Sequence, residues 1–296
     1  MERLFKPKRV SEILKKYNFR FSKTLGQNFL IDGNIVRKIV DSAEVSEADN
    51  VLEIGPGIGT LTEELALRAK KVVSIEIDKR LKDLLEETLP YDNVKIIFKD
   101  FLKLDLKTLI DEEFKGQNFK VVANLPYYIT TPIIEKLLLN SENIEIINVM
   151  IQKEVAKRFT AQPQTKDYGS LSVFIQFFCK AFYEFTVPRT VFMPKPNVDS
   201  GVCKLEVKRD LPNIDREEFF KIVRAAFSKR RKTLVNSLSQ SQLNLDKNKV
   251  TEILELSGID TKRRAESLTL EDFLVLYVNV LKFGGFNGWK INGRFG

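Results

Sequence analysis

Between residues 50 and 150 short β-branched runs alternate with stretches of helical periodicity, a pattern that few architectures can use. Strands separated by a helix cannot pair as tight hairpins, so they pair in parallel, with helices covering the sheet. Strands are predicted at 50–55, 71–76, 94–98, 120–124 and 145–151, with helices at 60–68, 79–87 and 132–139. A helix at 153–159 and two strand-like segments, 181–187 and 201–208, would complete a seven-stranded, mostly parallel α/β sheet. Near 209–212 the character changes. The remainder reads as helices alone, at 217–227, 230–238, 247–256 and 270–281. The expected organisation is a first domain over residues 1–209 and a smaller all-helical domain over 210–296. The loop 161–169, rich in Gln, Pro and Thr, is expected to be mobile and near a substrate mouth. The glycine-rich tail from 284 is expected to be poorly ordered.

Absences narrow the chemistry. The chain has no histidine and two cysteines, Cys179 and Cys203. A Ser-His-Asp triad, a Cys-His dyad and the usual zinc sites are therefore excluded, and no metal is expected. Both cysteines are read as core or strand residues without a disulfide. No apolar run approaches the roughly 20 residues needed to cross a bilayer, and the charged start lacks the apolar segment of a signal peptide. A soluble, cytoplasmic protein is expected.

The formal charge of +8 is concentrated. Residues 1–23 hold Arg3, Lys6, Lys8, Arg9, Lys15, Lys16, Arg20 and Lys23 against two glutamates. Lys221, Arg224, Lys229, Arg230, Arg231 and Lys232 form a second cluster. Such blocks neutralise phosphates and favour nucleic acid over a small anion. A solvated, disordered tail is the alternative for the first block.

Two motifs carry the chemistry. The loop Gly55-Pro56-Gly57-Ile58-Gly59 sits where the first sheet strand turns into a helix, so its N–H groups can approach a ligand. Glu76, ending the next strand, suits ribose hydroxyls. A dinucleotide fold would offer both features, but its fingerprint wants a third glycine where Thr60 stands. A third acidic position, Asp100, ends the following strand and suits the amine of an adenine; a helix cap is its plainer reading.

The second motif is Asn124-Leu125-Pro126-Tyr127-Tyr128, after the apolar run Val121-Val122-Ala123. An Asn amide oxygen and a carbonyl held open by proline can accept both protons of an exocyclic amine, while tyrosine stacks on the ring. Tyr127 is read as the stacking residue and Tyr128 as core packing.

These motifs, with Gly26-Gln27-Asn28-Phe29-Leu30, Val191-Phe192-Met193-Pro194-Lys195-Pro196-Asn197-Val198-Asp199-Ser200 and Arg230-Arg231-Lys232-Thr233, resemble the ribosomal RNA adenine N6,N6-dimethyltransferases. The resemblance spans 24–281. Gly258-Ile259-Asp260, Arg264-Ala265-Glu266-Ser267-Leu268 and Leu125 resemble the small-subunit branch of that family. It implies a Rossmann-like class I methyltransferase with S-adenosylmethionine as cofactor. Glu76 would hold its ribose, Asp100 its adenine amine, and Gly55 and Gly57 its methionine portion; Gln27, Asn28, Leu30 and Asn124 would complete the cofactor contacts. The target base would meet Asn124, Leu125, Pro126 and Tyr127, with Phe192 on its opposite face. The second basic cluster would hold RNA phosphates. The implied substrate is a pair of adjacent adenosines in the 3′-terminal hairpin loop of small-subunit rRNA, on the assembling 30S subunit. A large-subunit methyltransferase conferring antibiotic resistance, a noncatalytic assembly factor and a nicotinamide oxidoreductase are the alternatives.

Overall fold

A computed structural model describes residues 3–22, 24–229 and 231–283. The strands are β1 (Phe29–Leu30), β2 (Asn50–Ile54), β3 (Lys71–Glu76), β4 (Val94–Phe98), β5 (Phe119–Asn124), β6 (Ile144–Gln152), β7 (Cys179–Val187), β8 (Phe192–Met193) and β9 (Ser200–Val207). Seven of them form one sheet in the order β4-β3-β2-β5-β6-β9-β7. Neighbours from β4 through β6 pair in parallel, whereas β9 runs antiparallel to both β6 and β7. All five residues of β2 are buried, as expected of a central strand covered on both faces. Edge strand β7 instead alternates exposed with half-buried positions between its two buried ends, Cys179 and Val187.

Cys179 and Cys203 are buried and unbridged on the adjacent strands β7 and β9, and burial pushes both thiols up to about 12. Both behave as the core residues expected from sequence.

Contacts divide the chain into two compact units. The first takes the described residues up to Thr160 together with Cys179–Arg209; the second takes Ala161–Phe178 and the described residues from Asp210 onward. Assignment of 161–178 to the helical unit differs from a single break at 209. Its cause is aromatic packing. Phe174 lies 4.9 Å from Phe220 between ring centroids, and Phe177 lies 5.4 Å from Phe219.

The same packing revises the expectation of a mobile 161–169 loop. Tyr168 is buried at 3% exposure and its hydroxyl donates to the Leu268 carbonyl at 2.8 Å. The Gln164 N–H donates to Glu266 at 2.8 Å, and the Gln176 amide to the Ala161 carbonyl at 2.9 Å. Helices Arg216–Phe227, Leu234–Ser239, Lys247–Leu256 and Leu270–Lys282 fill the rest of this unit. Leu270–Lys282 opens on a capping box of Thr269 and Asp272.

Within the first unit, the basic amino-terminal segment folds onto the domain. Helix Pro7–Lys16 buries Val10, Ile13 and Leu14 in a cluster with Leu81, Leu84, Leu85 and Leu89. Arg3 pairs with Glu63 at 2.9 Å and with Glu64, and Lys16 pairs with Glu87. The disordered-tail alternative fails for the described part, since an apolar stripe at helical spacing anchors it. Helix Gly33–Ser42, capped by Asp32, adds Val36, Ile39 and Val40 to the main core. Lys23 and the tail from 284 lie outside the described residues.

Candidate active site

The strand order places β2 between β3 and β5, and the crevice at the carboxyl ends of these strands is where open α/β sheets receive ligands. One cavity occupies that position. Its lining includes Gln27, Asn28, Leu30, Gly55, Gly57, Glu76, Asp100, Asn124, Leu125, Pro126 and Tyr127. Residues spread over a hundred positions converge because those from Gly55 to Tyr127 end or follow parallel strands, while Gln27, Asn28 and Leu30 come from the segment leading into and forming β1.

The ends of β2 and β3 are joined through a carboxylate. Glu76 accepts the Gly57 N–H at 3.2 Å and the Asp78 N–H at 2.8 Å. Burial pushes its carboxyl up to about 7, against the pull of those N–H groups. The glycine loop is shaped for close approach: Gly57 has φ +58°, and a Cβ there would stand 2.9 Å from the Phe29 ring. The expected free N–H groups are differently used. Gly55 donates to Ile75, Gly57 to Glu76 and Gly59 to Pro56, so the loop contributes space and shape more than donors.

Asp100 fulfils its plainer reading and also lines the cavity. Its Oδ1 accepts the Leu102 N–H at 3.0 Å, capping the turn Phe101–Lys103. Gln27 bridges two segments, accepting the Ser22 N–H at 2.8 Å and donating to Asp78 at 2.7 Å. Asn28 donates from its side chain to the Gly26 carbonyl at 3.0 Å.

Asn124 ends β5 and donates from Nδ2 to the Asn28 carbonyl at 3.2 Å, which orients the amide and leaves Oδ1 as its acceptor end. The Leu125 N–H continues the ladder by donating to Met150 at 3.0 Å, while its side chain is buried. Pro126 sits at φ −60°, ψ 129°, ahead of the turn Tyr127–Ile129. The Tyr127 hydroxyl is held by Ser200 at 2.7 Å. Tyr128, read from sequence as core, is 55% exposed and lines the cavity beside Gly26.

Phe192 does not join this lining. It pairs with Leu30 in the β1–β8 ribbon and is buried at 4% exposure with Leu30, Val187 and Val202. The expected aromatic face opposite Tyr127 is therefore a core side chain here. Sequence reasoning missed three contributors: Asp78, Ser200 and Glu53. Glu53 also lines the cavity and accepts the Thr62 and Ser74 hydroxyls at 2.7 Å each, and burial pushes it up to about 7. Its signal was a lone charge inside the apolar run Val51-Leu52-Glu53-Ile54.

The second unit holds the basic cluster, and its members differ. Helix Arg216–Phe227 carries Lys221 and Arg224 and ends before Lys229, which lies in a turn. Lys221 pairs with Glu217 and Glu218 at 3.1 Å each. Those acids, three and four positions earlier, neutralise it. Arg224, Lys229, Arg231 and Lys232 are exposed, with Lys229 donating to Gln240. Arg230 lies outside the described residues.

Residues 18–276 match the profile of the family described as Ribosomal RNA adenine dimethylase. The chain belongs to that family. As a ribosomal RNA adenine dimethylase it is an enzyme that transfers methyl groups from S-adenosylmethionine to adenine in ribosomal RNA. The Ribosomal RNA small subunit methyltransferase A of Alkaliphilus oremlandii is 51% identical over 286 residues, covering 95% of this chain and 99% of that protein. The protein of the same name from a Geobacillus species is 54% identical over 277 residues, covering 91% and 95%. Among solved structures, a dimethyladenosine transferase from Plasmodium falciparum superimposes with a TM-score of 0.72 at 28% identity, covering 86% of this chain and 98% of that one. The 23S rRNA methyltransferase ErmE gives 0.64 at 28% identity, covering 86% and 99%.

The cavity of this dimethylase fits its cofactor on structural grounds. Glu76 and Asp100 stand at the ends of neighbouring strands, and the space at Gly57 is one that a Cβ would fill. Among the described residues no helix is long and apolar enough to cross a membrane.

Proposed function

We propose that this enzyme dimethylates N6 of two adjacent adenosines in the 3′-terminal hairpin loop of small-subunit rRNA, in the cytoplasm, on the assembling 30S subunit. The observation that carries the reading is the convergence of Asn124, Leu125, Pro126 and Tyr127 with Glu76 and Asp100 on one cavity. The small-subunit assignment is supported by the high identity to proteins named for that substrate over nearly their whole length.

When bound, S-adenosylmethionine supplies a methyl group activated by its sulfonium. Glu76 would accept hydrogen bonds from the ribose hydroxyls and Asp100 from the adenine amine, and the Gly55–Gly57 loop would make room for the methionine portion beside Gln27, Asn28 and Leu30. At the target, the Asn124 Oδ1 and the Leu125 carbonyl accept the two N6 protons. These bonds favour a pyramidal nitrogen whose lone pair is withdrawn from the ring, and charge developing on N6 meets dipoles already in place. Orientation carries the remaining rate. Tyr127, its hydroxyl fixed by Ser200, stacks on one face of the base. Stacking contributes about 1–3 kcal/mol per base, comparable with the cost of unstacking a looped adenosine. Arg224, Lys229, Arg231 and Lys232 hold RNA phosphates, which positions the strand without specifying sequence.

Offering unmethylated small and large subunits side by side, then mapping modified adenosines at base resolution, tests the assignment. Dimethyladenosine in the 3′-terminal loop of the small-subunit RNA supports it. Modification confined to large-subunit RNA overturns it.

A further inference from the structure

Lys136 takes no part in the chemistry above, yet its ammonium is bound by three backbone carbonyls beside the site. It lies on helix Thr130–Leu139, which follows directly on the turn Tyr127–Ile129. Its Nζ donates to the carbonyls of Phe101 and Leu102 at 2.9 Å each, and to that of Leu104. An ammonium has three N–H donors, so all are used on one short turn. That turn is the one capped by Asp100, whose Oδ1 accepts the Leu102 N–H at 3.0 Å. The Lys136 cation also sits 5.4 Å from the Phe101 ring centroid. Burial lowers the affinity of Lys136 for its proton, opposed by the charges of Asp100 and Asp105.

We propose that Lys136 is a positioning residue that sets Asp100 for the cofactor's adenine amine, tying the base-receiving turn to the cofactor-receiving turn. The inference rests on the reading of Asp100 given above. Within the turn the Phe101 carbonyl already accepts the Leu104 N–H at 3.3 Å, and the lysine adds donors to it and to the Leu102 and Leu104 carbonyls from a separate element. With the turn fixed, the carboxylate that caps it has its orientation fixed as well. An arginine at 136 would keep the charge but spread its donors in a plane, so it could not converge three bonds from one atom.

The test is calorimetric binding of S-adenosylhomocysteine to the full chain, with thermal melting in parallel, for wild type, Lys136→Met, Lys136→Arg, Asp100→Ala and the Asp100→Ala/Lys136→Met double variant. Lys136→Met is expected to weaken binding about tenfold, within the range of residues coupled in one hydrogen-bond network. In the Asp100→Ala background the same change is expected to have an effect under about twofold. If Lys136→Met does not fold, Lys136→Arg with the Asp100→Ala/Lys136→Arg double variant carries the same cycle with a smaller loss. Wild-type affinity in Lys136→Met overturns the inference, as does an equal loss with and without Asp100, which marks a general structural role. Wild-type affinity in Asp100→Ala overturns the reading of Asp100 and this inference with it; weakened Asp100→Ala beside unaffected Lys136 variants overturns the inference alone.

Discussion

The Gly57 backbone N–H donates to the Glu76 carboxylate at 3.2 Å, so the loop after β2 and the acid at the end of β3 form one wall of the cavity. The contact makes Glu76 a structural anchor as well as the proposed ribose ligand. Because burial already pushes this carboxyl up to about 7, cofactor binding and protonation are linked.

On the proposed reading, two ribose hydroxyls donating to Glu76 would favour its ionised form and lower its pKa. Below pH 7 binding must therefore release a proton, and affinity should rise by about tenfold between pH 6 and 8 before levelling off. Calorimetry in buffers of different ionisation enthalpy reads the released proton directly. Glu76→Gln should bind weakly and without that pH dependence.

Glu53 offers the complementary prediction for stability. Its folded pKa of about 7 lies above the usual carboxylate value, so the protein without cofactor loses stability as pH rises through that interval. Glu53→Gln keeps an acceptor for Thr62 and Ser74 and carries no charge. It should stabilise the chain above pH 7 by on the order of 2 kcal/mol and change little below pH 5, as read by urea unfolding at both pH values.

Gly57→Ala should destabilise the chain by about 1–3 kcal/mol, because it combines a positive φ with a methyl pressed against Phe29. Cofactor affinity should fall with it. Unfolding midpoint and cofactor titration check the two effects separately.

Sequence made the sheet and its strand-end polar residues legible for one reason: chain order and β-branched runs fix a parallel α/β sheet, in which Glu76 and Asn124 end strands and Asp100 lies two residues beyond the end of another. Phe192 was misread because its burial depends on pairing with Leu30, over 160 positions away, which no local pattern announces. The 161–169 loop was misread for a similar reason, since Tyr168 is pinned by Leu268. Lys221 differs: Glu217 and Glu218 were in view, one helical turn earlier, and only the choice of window hid them.

That last correction separates the basic residues experimentally. Arg231→Ala and Lys232→Ala should each weaken RNA binding across sequences and reduce the salt slope by about one phosphate contact. Lys221→Ala should leave the slope nearly unchanged. Binding titrations over a range of salt concentrations distinguish the two outcomes.

On the proposed reading one cavity divides its work, with Glu76 holding the cofactor and Asn124 the target amine. The most direct measurement is cofactor binding alongside transfer of labelled methyl to unmethylated small subunits by wild type, Glu76→Ala and Asn124→Ala. Asn124→Ala should bind cofactor normally while losing about 10²- to 10³-fold in kcat, as expected on removing one preorganised acceptor, and Glu76→Ala should lose binding itself. Wild-type transfer by Asn124→Ala, or no transfer by the wild type despite tight binding to the subunit, would contradict the account.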